Sequence, residues 1–459
     1  MWHEVPQCGL FVDSTTLVNS DYVNHAGHAK NCYLIFQADF NEECAYGISL
    51  QNNKSLVDSS FCLKSELCYD TAHSYKNSRC VGLRSQVAES IDCMFLRDCM
   101  NCQNCFASAN LRNKKYYIFN KPYTKEQYFE EIKKYDLGSY RTYQDIQKQA
   151  HNHWKKFPPK PAMDEFSIAS SGSYYFQTKN CIRCFEVVGA EDSKFLFWIS
   201  LPPINNCYDV SAWGNNIQLM YESCAVGENS AQLKFCFNSG INLHHAEYAV
   251  WCIGGENIFG SASLKKGQYA ILNKRYSKEE YHALREKIIR HMNEMPYTDS
   301  KGRVYRYGEF FPPAMSPFAY NETLAQRFFP LSREEAVDYG YGWYDSKESS
   351  HVITQEPEDV PDHIKDASDS ILNEIIRCGT CAKGFKIIPM ELAFLRNMNL
   401  PLPRRCPFCR IGAQFGQWVK GLRVFTRICS HCQSVFETNY SQEEVEYILC
   451  KQCYQAELE

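Results

Sequence analysis

Apolar residues recur along the first 120 residues at an almost fixed interval. Cys32, Cys44, Leu56, Cys68, Cys80, Cys93 and Cys105 are separated by 12, 12, 12, 12, 13 and 12 residues. Each is followed by an apolar or aromatic residue (Tyr33, Ala45, Val57, Tyr69, Val81, Met94, Phe106), and Asn, Ser, Asp and Gly fill the intervals. A strand and a turn of this length cannot bury themselves alone, so such units must stack. The pattern predicts a parallel β-helix in which two units make one coil of about 24 residues, with anchors stacked at a strand spacing of about 4.8 Å. Strands of an antiparallel sandwich also recur at about 8–12 residues. Against that alternative, Asn-Gly and Asp-Gly hairpin dipeptides are missing here and the period hardly drifts.

The interval returns more loosely at Cys184, Phe195, Cys207 and Leu219, and continues irregularly through Cys236, Tyr248 and Phe259. Both copies end alike: residues 116–128 match residues 269–281 at a constant offset of 153, which marks an internal duplication. Each terminator runs into a capping box, Thr124 with Gln127 and Ser277 with Glu280, in which each partner satisfies the other's free N–H. Helices are predicted over 124–135 and 277–293, another near 142–155, and a short one from Ser332, capped by Glu335. A helix at the end of a solenoid shields the last coil's open strand edge.

The chain is thus expected to be mainly β: two short parallel β-helix modules, each ended by a helix, followed by a pair of zinc ribbons. The expected boundaries are a first β-helix module (1–123), a helical connector (124–160), a second β-helix module (161–276), a helix with an aromatic and Pro-rich connector (277–344), an acidic linker (345–376) and a double zinc-ribbon module (377–459). The linker carries nine Asp/Glu against two Lys.

Four Cys-x-x-Cys pairs close the chain: Cys378/Cys381, Cys406/Cys409, Cys429/Cys432 and Cys450/Cys453. The two-residue gap lets both sulfurs of a turn face one ion, and two such knuckles complete a tetrahedron. Taken in sequence, 24 residues separate the first two pairs and 17 the last two, spacings that suit two zinc ions; an interleaved pairing stays open. With four thiolates each, the sites are closed to water and serve folding, not catalysis. His431, inside the third knuckle, reads as a bystander. Cys99, Cys102 and Cys105, with Cys93 nearby, have metal-like spacing, as do Cys181 and Cys184, but small apolar residues stacked inside a solenoid explain them more simply.

Composition adds limits. Charged residues at 22% and apolar ones at 44% are ordinary for a folded protein. No run approaches the roughly 20 apolar residues of a membrane helix; the longest spans 248–253. The start lacks the basic and apolar regions of an export signal, and its abruptness suits a truncated end. The cysteines are therefore expected to be reduced, in a cytoplasmic protein. Residues 377–427 hold ten Lys/Arg against one acid, Glu391, whereas 433–459 holds six acids against one Lys. Arg404, Arg405, Arg410, Arg423 and Arg427, with Phe408, Phe415, Trp418 and Phe425 among them, form a candidate RNA-contacting set, since cations bind phosphates and rings stack bases. The same charge could instead neutralise the acidic linker. His25 and His28, and the pair His244 and His245, lack a catalytic partner in the sequence and read as structural. There is no phosphate loop, no Gly-x-Gly-x-x-Gly opening a helix and no Gly-x-Ser-x-Gly.

Several stretches together carry a resemblance: Asn24-His25-Ala26-Gly27 ahead of Lys30-Asn31-Cys32-Tyr33-Leu34, Asn101-Cys102-Gln103-Asn104-Cys105-Phe106, Phe329-Pro330-Leu331-Ser332, Phe385-Lys386-Ile387-Ile388-Pro389, and Leu400-Pro401-Leu402-Pro403-Arg404-Arg405-Cys406-Pro407. The chain resembles a family of Cys-rich repeat and zinc-ribbon proteins from uncultured, ultra-small bacteria of the candidate phyla radiation type. Its first C-terminal ribbon is similar to a zinc-ribbon domain found singly in other bacteria. The resemblance implies architecture and zinc, and no activity. Members often begin with a further zinc ribbon, absent here, and several of their repeat cysteines are Leu or Phe here, which argues against metal in every coil. The reading that results is a non-enzymatic zinc-binding interaction protein with a protein or RNA partner and no small-molecule substrate. A carbohydrate-active β-helix enzyme and a thiol- or zinc-sensitive assembly factor are the alternatives.

Overall fold

A computed structural model describes residues 4–6, 12–345 and 352–458. Its dominant feature is a three-residue step. Cys32, Ile35, Ala38, Asn41, Cys44, Leu50, Asn53 and Leu56 all lie on this step and are all buried. The residue just before each inward one takes a left-handed conformation: Asn31, Leu34, Gln37, Phe40 and Glu43 have φ of 53°, 51°, 52°, 57° and 55°. The chain therefore turns a corner every third residue, and four steps close one coil. Parallel pairing joins Tyr33 to Ala45, Leu56 to Cys68 and Cys68 to Cys80. One coil is thus 12 residues, half the length expected from pairing two repeat units.

Left-handed corners cost about 1–2 kcal/mol for most residues and less for Asn or Asp. Asn52, Asp58, Asp70, Asp98, Asn101 and Asn104 stand at such corners, so the polar residues between anchors are solenoid corners and not hairpin turns. One interior column is itself polar. Asn53 Nδ2 donates to Asn41 Oδ1 at 3.1 Å and to the Cys62 carbonyl at 2.9 Å, and Ser65 N donates to Asn53 Oδ1 at 2.9 Å. A buried polar ladder of this kind is stable because its members satisfy one another. The anchor cysteines give their S–H to carbonyls two residues back, Cys44 to Glu42 and Cys68 to Glu66, each at 3.3 Å.

The second solenoid keeps the step but not the period. Pairings of Phe185 with Phe197, Phe197 with Ser211, Val210 with Ser223 and Cys224 with Phe237 advance 12, 14, 13 and 13 residues. Extra residues are absorbed as two successive left-handed residues, as at Asn215–Asn216 and Glu228–Asn229. This drift corrects four of the expected anchors. Phe195 and Leu219 are corner residues, 46% and 48% exposed, and the interior places belong to their neighbours Leu196 and Met220. Tyr248 and Phe259 are buried outside the solenoid, in an aromatic cluster with Phe235 and Tyr281.

The duplicated terminators have the same job. In each, an asparagine seals the last coil: Asn120 exchanges two hydrogen bonds with the backbone of Ala109 (2.7 and 2.9 Å), and Asn273 does so with Ala262 (2.8 and 3.0 Å). A short antiparallel strand follows each, and then the capping boxes start helices α1 (Lys125–Ile132) and α3 (Lys278–Glu294). Between them lies α2 (Tyr140–Trp154), and after them α4 (Ala325–Phe328) and α5 (Arg333–Asp338), the latter capped by Ser332 and Glu335 as expected. The C-terminal part contributes α6 (Pro389–Asn397), α7 (Pro407–Gly421) and α8 (Lys451–Leu458). No described helix is long and apolar enough to cross a membrane.

A second core lies on the outside of the first solenoid. Ala45, Val57, Tyr69, Val81 and Phe106, the residues following the anchors, pack with Tyr143, Ile146, Ala150 and Trp154 of α2 and with Leu392, Phe394 and Leu395 of α6. The acidic stretch joins them: Val360, Ile364, Ala367 and Ile371 are buried in the same cluster. Residues 346–351 of that stretch lie outside the described residues.

The corrected step makes a sharp prediction for two adjacent residues. Leu196→Ala removes a fully buried side chain and should cost about 2–5 kcal/mol, whereas Phe195→Ala should stay within about 0.5 kcal/mol; urea unfolding of both variants measures the difference.

Candidate metal centres and their docking

The eight C-terminal cysteines form two tetrads, Cys378/Cys381/Cys406/Cys409 and Cys429/Cys432/Cys450/Cys453, whose sulfurs within each set all lie within 4.8 Å of one another. The pairing is sequential. The two sites share one design. The first pair of each sits in a hairpin, between Ile376–Arg377 and Gly384–Phe385 or between Phe425–Ile428 and Val435–Thr438. The second pair sits at a helix start and not in a second hairpin: Cys406 is the N-cap of α7, and Cys450 immediately precedes α8. Free N–H groups and the positive end of the helix dipole favour thiolates there.

Cys381 Sγ and Cys406 Sγ are 3.8 Å apart, and Cys432 Sγ and Cys450 Sγ are 3.7 Å apart. A tetrahedron with metal–sulfur bonds of about 2.3 Å has edges of about 3.8 Å, so the spacing suits one ion per site. Cys406 N donates to Cys378 Sγ, and Cys450 N to Cys429 Sγ, both at 3.2 Å. Burial alone would push the Cys378 and Cys429 thiols up, but backbone N–H groups hold both down at about 6. Cys453 goes the other way, to about 12, through burial and through the thiols it touches. Four sulfurs so close repel one another as thiolates, and a cation removes that repulsion. Soft, anionic and closed, the donor sets could each bind a structural metal ion.

Cys99, Cys102 and Cys105 occupy successive inward positions of one coil and give their S–H groups to the carbonyls of Arg97, Met100 and Gln103 at 3.4–3.5 Å. Among the described residues only the two C-terminal tetrads bring three or more potential ligand atoms together. Cys181 and Cys184 are likewise interior residues of the second solenoid. His431 is exposed; His25 and His28 are corner residues, His28 stacking on Phe40 at 4.2 Å.

The arginine set separates. Arg410 is buried and cannot serve as a nucleic-acid contact. It pairs with Asp58 of the first solenoid and, at 2.8 Å, with Glu391 of α6, and lies over the Tyr46 ring at 4.7 Å. Tyr46 Oη donates to the other Glu391 oxygen at 2.9 Å, and Gln414 donates to the Asp58 carbonyl. Burial pushes the Asp58 carboxyl up to about 6 even beside Arg410. Arg427 donates to the carbonyls of Tyr440, Val445 and Glu446 within the second site's own loop. Arg404 lies over the Tyr140 ring at 4.3 Å and donates to the Val360 carbonyl. Arg405 and Arg423 are exposed.

The aromatic residues divide too. Phe415 and Trp418 are buried with Phe61 of the first solenoid and Tyr174 and Trp198 of the second, and Trp418 Nε1 donates to Glu186 Oε2 at 3.0 Å. His73 is sandwiched in the same junction between Phe61 (4.6 Å) and Tyr174 (4.1 Å). Helix α7 thus starts at a metal site and ends wedged between both solenoids. The second site docks through Tyr454 on Asp98, Lys451 on Asp164 and Thr438 on the Pro161 carbonyl. Nothing near Asp58 in the sequence marks it as the partner of Arg410, 352 residues away; no local signal could have found it.

No protein-family model matches the chain, and no curated protein matches it. A solved structure described as an acetyltransferase from Desulfovibrio desulfuricans G20 is 9% identical, covering 63% of this chain and 85% of that one, with a TM-score of 0.12. A likeness at that level bears on neither fold nor activity.

Removing Arg410 leaves two carboxylates buried without their cation. Arg410→Met should cost about 3–5 kcal/mol, while Arg405→Met should stay within about 0.5 kcal/mol, as read from denaturant unfolding of the metal-loaded proteins.

Proposed function

We propose that this chain is a non-enzymatic, zinc-held binding scaffold. Zinc suits the two sites because it takes four thiolates in a closed tetrahedron and has no redox chemistry of its own. The observation that carries the reading is the course of α7, from Cys406 and Cys409 to Trp418 between the two solenoids. A metal at its start fixes the helix that joins the two solenoids, so metal binding and the relative placement of the modules are coupled. Elemental analysis of the reduced, purified protein should give two zinc ions per chain. Cys381→Ser and Cys432→Ser should each lose one. A chain that unfolds identically with and without metal would sink the scaffold role.

The partner in this proposal is RNA, contacted beside the first zinc site. Lys383, Lys386 and Arg405 are exposed there, and Phe408 is 63% exposed. Exposed cations beside an open ring suit a phosphate backbone with unstacked bases. Affinity for single-stranded RNA should fall with salt at a slope of about −0.7 per phosphate neutralised, and Arg405→Glu with Lys383→Glu should weaken it. Equal binding by that double variant would remove RNA from the reading.

A further inference from the structure

A cleft of about 530 Å³ runs along the second solenoid, with Tyr281, His282 and Arg285 of α3 as one wall. Such a volume lies within the range of small-ligand and oligomer sites. Its floor is a ladder with one side chain per coil. Asn206, Leu219, Gln232, His245 and Asn257 are the corner residues of five successive coils, all left-handed. Beside them a second column runs Tyr208, Tyr221, Lys234 and Glu247, in register. Five coils at a strand spacing of about 4.8 Å extend the ladder over about 19 Å.

Charge within the cleft is already matched. Arg285 holds both Glu247 oxygens, at 2.9 and 2.7 Å, and Tyr307 Oη donates to one of them at 2.9 Å. Lys234 Nζ lies 3.8 Å from the same carboxylate. Asp209 and Glu222 follow Tyr208 and Tyr221 directly in sequence, and burial, with the neighbouring Asp209 and Glu309 carboxylates, pushes the Glu222 carboxyl up. The Lys and Arg of the lining, Lys234 and Arg285, both face Glu247, so a polyanion finds no unpaired Lys or Arg among the lining residues. What the floor offers instead is phenol rings, side-chain amides and imidazoles, which bind hydroxyl groups and the apolar faces of sugar rings.

We propose that this cleft binds an extended, uncharged, β-linked hexose chain, with one sugar ring per coil. The repeat of such a chain is close to one strand spacing, so successive rings would meet successive rungs in register. Tyr221, 40% exposed, would stack one ring, and Gln232 and Asn257 would bond hydroxyls. The proposal is independent of the zinc and RNA readings, because none of these residues belongs to the metal sites or the basic surface.

The test is calorimetric titration of the full, metal-loaded chain with β-1,4-linked glucose and N-acetylglucosamine oligomers of increasing length. Affinity should rise with length until about five rings fill the ladder. Tyr221→Ala should weaken it about tenfold, with unfolding and metal content unchanged, and Gln232→Ala, an exposed polar position, should weaken it less. Absence of binding by neutral oligomers at millimolar concentration, affinity indifferent to length, equal affinity for a coiled α-linked oligomer, or binding confined to oligogalacturonate or RNA would each overturn the proposal, as would a Tyr221→Ala protein that binds like wild type.

Discussion

A backbone that enters the left-handed region at every third residue encloses only four side chains per coil, and this narrow interior conditions everything around it. Large residues fit poorly at every rung, so the interior alternates Leu and Ile with Cys, Ser, Ala and Asn. Buried apolar area per coil is therefore modest, while the corners carry a conformational cost that recurs along both solenoids. Each coil offsets that cost with backbone bonds to its neighbours and with interior ladders such as Asn41 to Asn53. Cysteine suits such a place as a small, weakly donating residue.

The narrow interior also explains why the outside cannot be left bare. The stripe Ala45, Val57, Tyr69, Val81 and Phe106 is a hydrophobic face that one solenoid cannot bury itself. Helix α2, the acidic stretch and α6 cover it, and α7 extends the cover to the second solenoid. Helices α2 and α7 run 15 residues each, but the two hairpins beneath the metal sites are only two to four residues per strand. Short elements hold their geometry when a metal fixes both ends of the turn. The tetrads and the solenoids meet in one element: α7 starts at Cys406 of the first tetrad and ends packed against both solenoids.

The features legible in the sequence were those whose signal is local. Four Cys-x-x-Cys pairs announced two tetrads, leaving only the choice between sequential and interleaved pairing to the fold, and the three capping boxes at Thr124, Ser277 and Ser332 stand where they were expected. The 12-residue interval was visible because one column happens to be rich in cysteine. The three-residue step beneath it was not, because the other columns mix Leu, Gly, Ser, Thr, Cys and Asn, and no hydrophobicity pattern survives that mixture. Reading a single column doubled the apparent coil, and in the second solenoid the 14- and 13-residue coils shifted the apparent anchors onto exposed corners at Phe195 and Leu219.

Charge was the least legible quantity, for a physical reason. A run of ten basic residues over 377–427 looks like a surface, because sequence records the cations but not the distant partners that meet them. In the folded chain Arg377 pairs with Glu356 at 2.8 Å and Arg396 with Asp369 at 2.6 Å, so part of the run neutralises the acidic stretch before it. Arg410 is buried between Asp58 and Glu391, and Arg404 and Arg427 are held by a ring and by carbonyls. Half of the run is thereby spent on holding the C-terminal module to itself and to the first solenoid. The five cations that remain, Lys383, Lys386, Arg405, Lys420 and Arg423, are exposed and have no ion-pair partner among the described residues; the first three stand around the first tetrad. A buried cation and an exposed one contribute identically to net charge, yet only the second attracts a partner; the first decides whether the surface exists at all.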